Sequence, residues 1–400
     1  MGGGSIGAAG GEENDPVGRL RRGAARARDG GKGLADTVPV YAQVSHHSAR
    51  LVGESTLGFF NDARRFLRAE LAADLFYDID GPTIHYDVYN IEAEALGARL
   101  LWQEGHVPAV DPRAPVLHDI DDWGSLPAVK AGAAGRMPYV LEMNDRLKDL
   151  GLAPKVRFTG LFTLAANLVG LEQLLFSIVT RPDSVHRLMH FLSREVVAPW
   201  ILCQRERCGS RETATGSDAL ASPPLVSVAM VREFCLKYAQ ELEELVGGVR
   251  LAGLWGESAI AEPRELLDVK RAGSPGSIQV LDPDVTILGP SFFRRYADQT
   301  GASLVMGLDA SLVGRGNETE IASRATRFIE EAGLRGRFVL FINDVPFDAP
   351  VENVRAVVRA ARSWVADPVR GCYVPGGRPV TVSSEMTIAE ALRAVEPLIG

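Results

Sequence analysis

From Val38 onward, short runs rich in β-branched and aromatic residues alternate with longer segments whose apolar positions recur at helical spacing. Eight runs read as strands: Val38–Val44, Leu75–Asp80, Val156–Phe162, Thr213–Asp218, Val249–Trp255, Ile278–Asp282, Leu304–Asp309 and Phe338–Asn343. Most are continuously apolar, the pattern of parallel strands covered on both faces. Between them, Pro182–Val197 places Val185, Leu188, Met189, Leu192 and Val196 on one face, with Asp183 and Ser184 as capping groups. Strand and helix alternating eight times predicts an α/β fold, a (β/α)8 TIM barrel. An open doubly wound sheet is the competing arrangement.

Ahead of the barrel, residues 1–35 read as a flexible leader with one short helix. Asp15-Pro16 is a cap followed by a first-turn proline, Val17, Leu20 and Ala24 recur at helical spacing, and Gly30-Gly31 is the expected stop. Residues 36–400 are then a single barrel domain. Its longest insertion, residues 81–155, is expected over the barrel mouth. Within it, Glu92-Ala93-Glu94-Ala95-Leu96-Gly97 reads as helix formers ended by glycine.

Composition narrows the class. The 400 residues are 46% hydrophobic and 24% charged, ordinary for a globular protein. The net charge of −8 argues against nucleic acid or an anionic membrane as the main partner. No apolar run reaches the ~18–20 residues of a transmembrane helix. The four cysteines make no disulfide framework in a chain of this size, so the compartment reads as reducing. Met1–Gly11 carries no apolar stretch, so no secretory signal is expected and the cytoplasm is the expected location.

Nearly every strand-like run ends in polar groups. They are His46 and His47 after the first, then Asp78 and Asp80, Phe162-Thr163, Asp218, Trp255 with Glu257, Asp282 with Asp284, Asp309, and Asn343-Asp344. In a barrel the carboxyl ends of the strands converge on one mouth, where active sites of this fold lie. Each residue taken alone is also explained as a loop opener or helix cap. So many carboxylates around one mouth would repel one another without a ligand. Trp255 offers a flat face for a planar ring or a cation, or else plugs the barrel. Glu257 suits a general base, Asp282-Pro283-Asp284 fixes two carboxylates around a rigid turn, and His85 with Tyr86 and Asp87 forms a candidate proton-transfer trio. Tyr89 and Asn90 complete the candidate binding set.

Several motifs are missing. Gly2-Gly3-Gly4 and Gly314-Arg315-Gly316 lack the strand–glycine–helix context of a nucleotide site, and there is no Gly-x-Ser-x-Gly elbow. All seven histidines lie at or before His190 and all four cysteines at or after Cys203, so no His-x-Cys or Cys-x-x-Cys motif exists. A metal on His46, His47 and His85 with Asp78 or Asp80 is the remaining possibility; adjacent histidines at a strand end more often hydrogen-bond a ligand or the backbone.

These segments carry a resemblance. Val38-Pro39-Val40, Asn90-Ile91-Glu92-Ala93-Glu94-Ala95-Leu96-Gly97, the run Gly160–Glu172, Pro182-Asp183-Ser184-Val185-His186, Asp344-Val345-Pro346 and Pro350–Arg355 occur in consistent order. They resemble the uroporphyrinogen decarboxylase superfamily, which includes corrinoid-dependent methyltransferases. The resemblance implies a TIM barrel with its cleft at the carboxyl-terminal mouth, and a homodimer. The decarboxylases carry Arg-Gln-Ala-Gly-Arg after the first strand to grip substrate carboxylates. The matching stretch here is Val44-Ser45-His46-His47-Ser48, with both arginines missing and Arg50 displaced. The zinc-binding methyltransferases carry His-x-Cys and a late Cys, where this chain has Gly253-Leu254-Trp255 and Asn343.

The resemblance and the lost clamps together lead to an expected function. It is a zinc-independent methyltransferase moving a methyl group between a corrinoid (cobalamin) or folate carrier and a small polar acceptor. Catalysis is assigned to His85, Glu257 and Asp282, and a corrinoid protein is a candidate partner. Decarboxylation of a porphyrinogen-like or smaller acid is the first alternative, and a non-catalytic binding barrel the second.

Overall fold

The computed structural model describes residues 15–209, 212–376 and 386–399. The start Met1–Gly11, with its glycine run, lies outside them. Among the described residues seven of the eight apolar runs hold a strand: Val40–Ala42, Arg157–Thr159, Ala214–Ser217, Val249–Ala252, Ser277–Leu281, Ser303–Leu308 and Phe338–Ile342. The eighth, Leu75–Asp80, is not a strand, because Leu75, Phe76 and Tyr77 are the last turn of the helix Ala63–Tyr77. Alanine, leucine, arginine and glutamate dominate residues 63–75, so helix propensity carries through the short apolar run. Asp78 then takes a φ of 57°, a left-handed stop that aspartate tolerates. The predicted helix Pro182–Val197 continues to Cys208, with a widened turn at Leu192–Val197 just before Pro199, which lacks an N–H to donate.

The chain divides into two compact units. The first comprises residues 1–54, 67–84 and 310–400. Its strands Val40–Ala42 and Phe338–Ile342 pair in parallel, with Val40 opposite Leu340 and Ala42 opposite Ile342. All five residues of Phe338–Ile342 are buried, as a doubly covered strand requires. The helix Pro16–Lys32 starts as expected, with the Asp15 carboxylate accepting from the amides of Val17 (3.2 Å) and Gly18 (3.0 Å). It runs through Gly30-Gly31 instead of stopping there. A Cβ on Gly30 would lie 2.2 Å from Pro39 Cγ, so glycine here permits close packing. Leu20 is buried and Arg26 reaches Asp36 and Asp80, so this segment is anchored rather than loose.

The second unit comprises residues 55–66 and 85–309. Arg157–Thr159, Ala214–Ser217 and Val249–Ala252 form one parallel sheet, with Gly216 opposite both Phe158 and Leu251. Ser277–Leu281 pairs in parallel with Ser303–Leu308. The segment 85–155 contributes the helix Ile91–Ala95, a short hairpin (Leu100–Leu101 against Ala109–Val110) and the helix Met137–Asp149. No single helix among the described residues is long and apolar enough to cross a membrane.

Candidate active site

In the second unit the polar chemistry collects where parallel strands end, and neighbouring ends are joined by hydrogen bonds. After Arg157–Thr159 the chain turns at Gly160 into the helix Leu161–Val169. Phe162 is in that helix's first turn and packs, fully buried, in the core. Asp218, after Ala214–Ser217, caps the helix from outside: its Oδ1 accepts from Thr163 N at 2.7 Å and Thr163 Oγ1 at 2.8 Å. The two predicted site residues are thus each other's partners. Burial pushes the Asp218 carboxyl up against the opposing bonds from Thr163, and the Cys235 thiol lies against it.

Beyond Val249–Ala252, Gly253 takes a φ of 81° and Gly256 a φ of 99°, and a Cβ on Gly256 would lie 2.5 Å from the Pro223 carbonyl oxygen. This tight path puts Glu257 fully out of solvent, where Lys270, from the helix Pro263–Gly273, forms an ion pair with its Oε1. Glu257 Oε2 accepts no hydrogen bond. Burial pushes the Glu257 carboxyl up, opposed by Lys270 and reinforced by Asp284. Asp284 straddles the same loop, accepting from Gly256 N (2.8 Å), Ser258 N (3.0 Å) and Ser258 Oγ (2.5 Å). Burial opposes its ionisation, but these bonds prevail and hold its carboxyl below the ordinary range. The Lys270 ammonium also sits 5.0 Å from the centre of the Trp255 ring. That aromatic face therefore already holds a cation from the protein itself.

Asp282 accepts from Thr286 Oγ1 at 2.6 Å, and its amide donates to the Gly307 carbonyl at 3.0 Å, tying it to the neighbouring strand. Asp309 follows that strand, partly exposed. Burial, aided by Arg157 and Lys155, holds the His85 imidazole well below its ordinary range, hence neutral. Tyr89 presents its carbonyl to Asn167 (2.8 Å), and Asn90 donates to Asp87 (3.2 Å) and to the Pro108 carbonyl (2.6 Å). Asp87 in turn binds Arg136 through both oxygens, at 2.9 and 2.6 Å, so it is no free partner for His85.

In the first unit His46 and His47 open a short helix, His46–Val52, and Asn343-Asp344 follows Phe338–Ile342, so both pairs sit at carboxyl ends of neighbouring strands. His47 Nδ1 faces two acceptors, the carbonyls of Pro346 (3.0 Å) and Phe347 (3.1 Å), so it carries the proton. Its Nε2 then accepts from the Tyr77 hydroxyl at 2.7 Å. All its capacity is used inside the fold, and burial lowers its imidazole to about 4. His46 stacks on Phe347. Asp344 takes a φ of 54°, and burial pushes its carboxyl up to about 6.

Asp78 and Asp80 lie elsewhere. Asp80 Oδ2 accepts from Val40 N (2.7 Å), and its Oδ1 binds Arg26 (2.5 Å) and Arg362 (3.0 Å). Arg362 also donates to Asp78 and to the Val38 carbonyl, both at 3.0 Å. The cluster sits at the amino end of Val40–Ala42, away from the strand's carboxyl end. These two aspartates are structural, a consequence of the misread helix end.

Sequence reading missed Lys270, Arg136 and Glu92. Lys270 had a signal: Leu266, Leu267, Lys270 and Gly273 fall on one buried stripe, and a lysine on an apolar face requires a carboxylate partner. The partners of Arg136 and Glu92 come from distant segments and follow no local spacing. Among the described residues, no three histidine, cysteine or acidic side chains converge as metal ligands.

An α/β chain with parallel strands and polar strand ends of this order defines a class, and comparison with known proteins identifies it. The uroporphyrinogen decarboxylase (URO-D) family model matches residues 32–364. The chain belongs to that family, and its fold is the family's α/β TIM barrel. A solved methyltransferase from Methanosarcina mazei is similar in structure, with a TM-score of 0.67 at 19% identity over 87% of this chain and 98% of the other. No curated protein matches in sequence.

Proposed function

We propose that the chain is a methyltransferase of the URO-D family, moving a methyl group between a corrinoid or folate carrier and a small polar acceptor, with Glu257, Lys270 and Asp284 as its acid–base centre. Family membership and the fold likeness to a methyltransferase support the reaction class. The observation that carries the site is Glu257 itself: fully buried, held by Lys270 at one oxygen, beside the Asp284 carboxyl, and with no protein N–H or O–H donated to its Oε2.

A buried acceptor without a donor suits a ligand that brings an N–H or O–H. The donor set thus fits a pterin or an amine, and Glu257 would hold either by that oxygen. The bound carrier supplies an activated methyl group. The chain supplies orientation and a place for the proton. Burial raises the Glu257 carboxyl above its ordinary range and depresses the His85 imidazole well below its own, which favours Glu257 over His85 as the group that carries a proton. Asp284 stays ionised and keeps the Gly256–Ser258 loop in place. Incubation of the purified protein with methylcobalamin or methyltetrahydrofolate and a panel of amine, thiol and hydroxyl acceptors tests the reading. Methylated product with either carrier supports it. Inactivity with both, together with carbon dioxide release from a porphyrinogen or smaller acid, overturns it.

A further inference from the structure

The hydrogen bonds around Thr159 contain one proton too few. Its hydroxyl oxygen lies 2.8 Å from the Val88 carbonyl oxygen and 2.6 Å from Glu92 Oε2. A threonine hydroxyl has one hydrogen and a carbonyl oxygen has none. If Thr159 donates to Val88, the shorter contact to Glu92 needs a hydrogen from Glu92. The other oxygen, Oε1, accepts from Thr159 N at 3.0 Å. Glu92 and Thr159 are both fully buried, so no solvent proton fills the gap.

From this geometry we infer that Glu92 is an un-ionised carboxylic acid in the folded protein, and that its proton locks the Tyr86–Asn90 segment to the end of the strand Arg157–Thr159. It is a positioning residue: it acts through Thr159 and Val88 on Tyr89 and Asn90, which belong to the candidate binding set. The inference does not depend on the methyltransferase reading.

The electrostatic surroundings agree. Burial pushes the Glu92 carboxyl up to about 7, against the opposing bonds from Thr159. On its own segment, Asp87 and Glu94 share one cation, each ion-paired to Arg136, and Tyr86 is buried, its phenol pushed well up. Arg157 lies on the adjoining strand. On the helix Met137–Asp149, Glu142 pairs with Arg146 and Asp145 with Arg207, leaving Lys148 and Asp149 of opposite sign. The helix Leu161–Val169 carries no ionisable side chain. Among the described residues no cation is bonded to Glu92, so no ion pair offsets the cost of ionising it.

Glu92→Gln tests this, because an amide can donate to Thr159 Oγ1 as the acid does. The folded wild type keeps a proton that the unfolded chain releases above the ordinary value of 4.5. Its folding equilibrium, relative to Glu92→Gln, should therefore weaken about tenfold per pH unit between pH 5 and 7, then level off. Infrared spectra at pH 6 should show an un-ionised carboxyl band that Glu92→Gln lacks. Parallel pH–stability curves and no such band would mean that Glu92 is ionised and the Thr159 hydroxyl is shared, overturning the inference. Should Glu92→Gln fail to fold, Thr159→Ser keeps the hydroxyl and must keep the wild-type slope and band; loss of both also overturns it.

Discussion

Replacing Lys270 by methionine keeps an apolar stem of similar length and removes its charge. Glu257 is then left fully buried with no cation beside it. It avoids a bare buried charge by taking up a proton, which the unfolded chain holds only below about its ordinary value of 4.5. Holding that proton costs about 1.4 kcal/mol for each pH unit above this value. The wild-type carboxyl is already raised, so the Lys270→Met loss is bounded by about 4 kcal/mol at pH 7.5 and by less than about 1 kcal/mol at pH 5. The upper figure agrees with the ~3–5 kcal/mol typical of removing one partner from a buried ion pair. Urea unfolding at the two pH values reads the difference directly. The double variant Lys270→Met/Glu257→Gln should recover most of the loss at pH 7.5, since the amide needs no proton. Equal losses at both pH values, or a loss below about 0.5 kcal/mol at pH 7.5, would refute this picture of the pair.

Other outcomes follow from the same geometry. Arg362→Met strips Asp80 of one buried partner and should lower stability by ~3–5 kcal/mol while leaving ligand affinity unchanged in calorimetry; a selective loss of affinity would return Asp78 and Asp80 to the site. His47, lowered to about 4 from an ordinary 6.5, should show no imidazole titration by NMR between pH 5.5 and 8. Its contribution to stability is present above pH 6.5 and lost as the pH falls toward 4, and a midpoint near 6.5 would contradict the bonding assigned to it. Asp218→Ala removes the acceptor that caps the helix Leu161–Val169 and should cost ~1–2 kcal/mol in thermal unfolding; no change would mean the cap is redundant. Methyl transfer should survive exhaustive treatment with a zinc chelator, and restoration of lost activity by added zinc would disprove the zinc-independent reading.

The barrel was legible because its signals are local. Doubly covered parallel strands are short apolar runs such as Val339–Ile342, and glycine and aspartate mark where they end. Leu75–Tyr77 shows the limit: three apolar residues satisfy a strand and the last turn of a helix equally, and only the preceding helix formers decide. The same ambiguity moved Asp78 and Asp80 to the wrong end of a strand. Residue type and position along the chain point to Glu257 and Asp284 but carry no information on what each one faces. Thr163 and Asp218 look like two free groups in sequence, yet Thr163 donates twice to one oxygen of Asp218. Trp255 looks like an open aromatic face, yet Lys270, from another element, already lies over it.

The pH–rate profile of methyl transfer, compared between wild type and Glu257→Gln, tests the acid–base assignment most directly. The wild-type rate should be governed by a group titrating above the ordinary glutamate range. Glu257→Gln should lose that dependence and fall by about 10²–10⁴-fold, the usual contribution of a positioned proton-transfer group. A Glu257→Gln protein that keeps the wild-type rate and profile would contradict it.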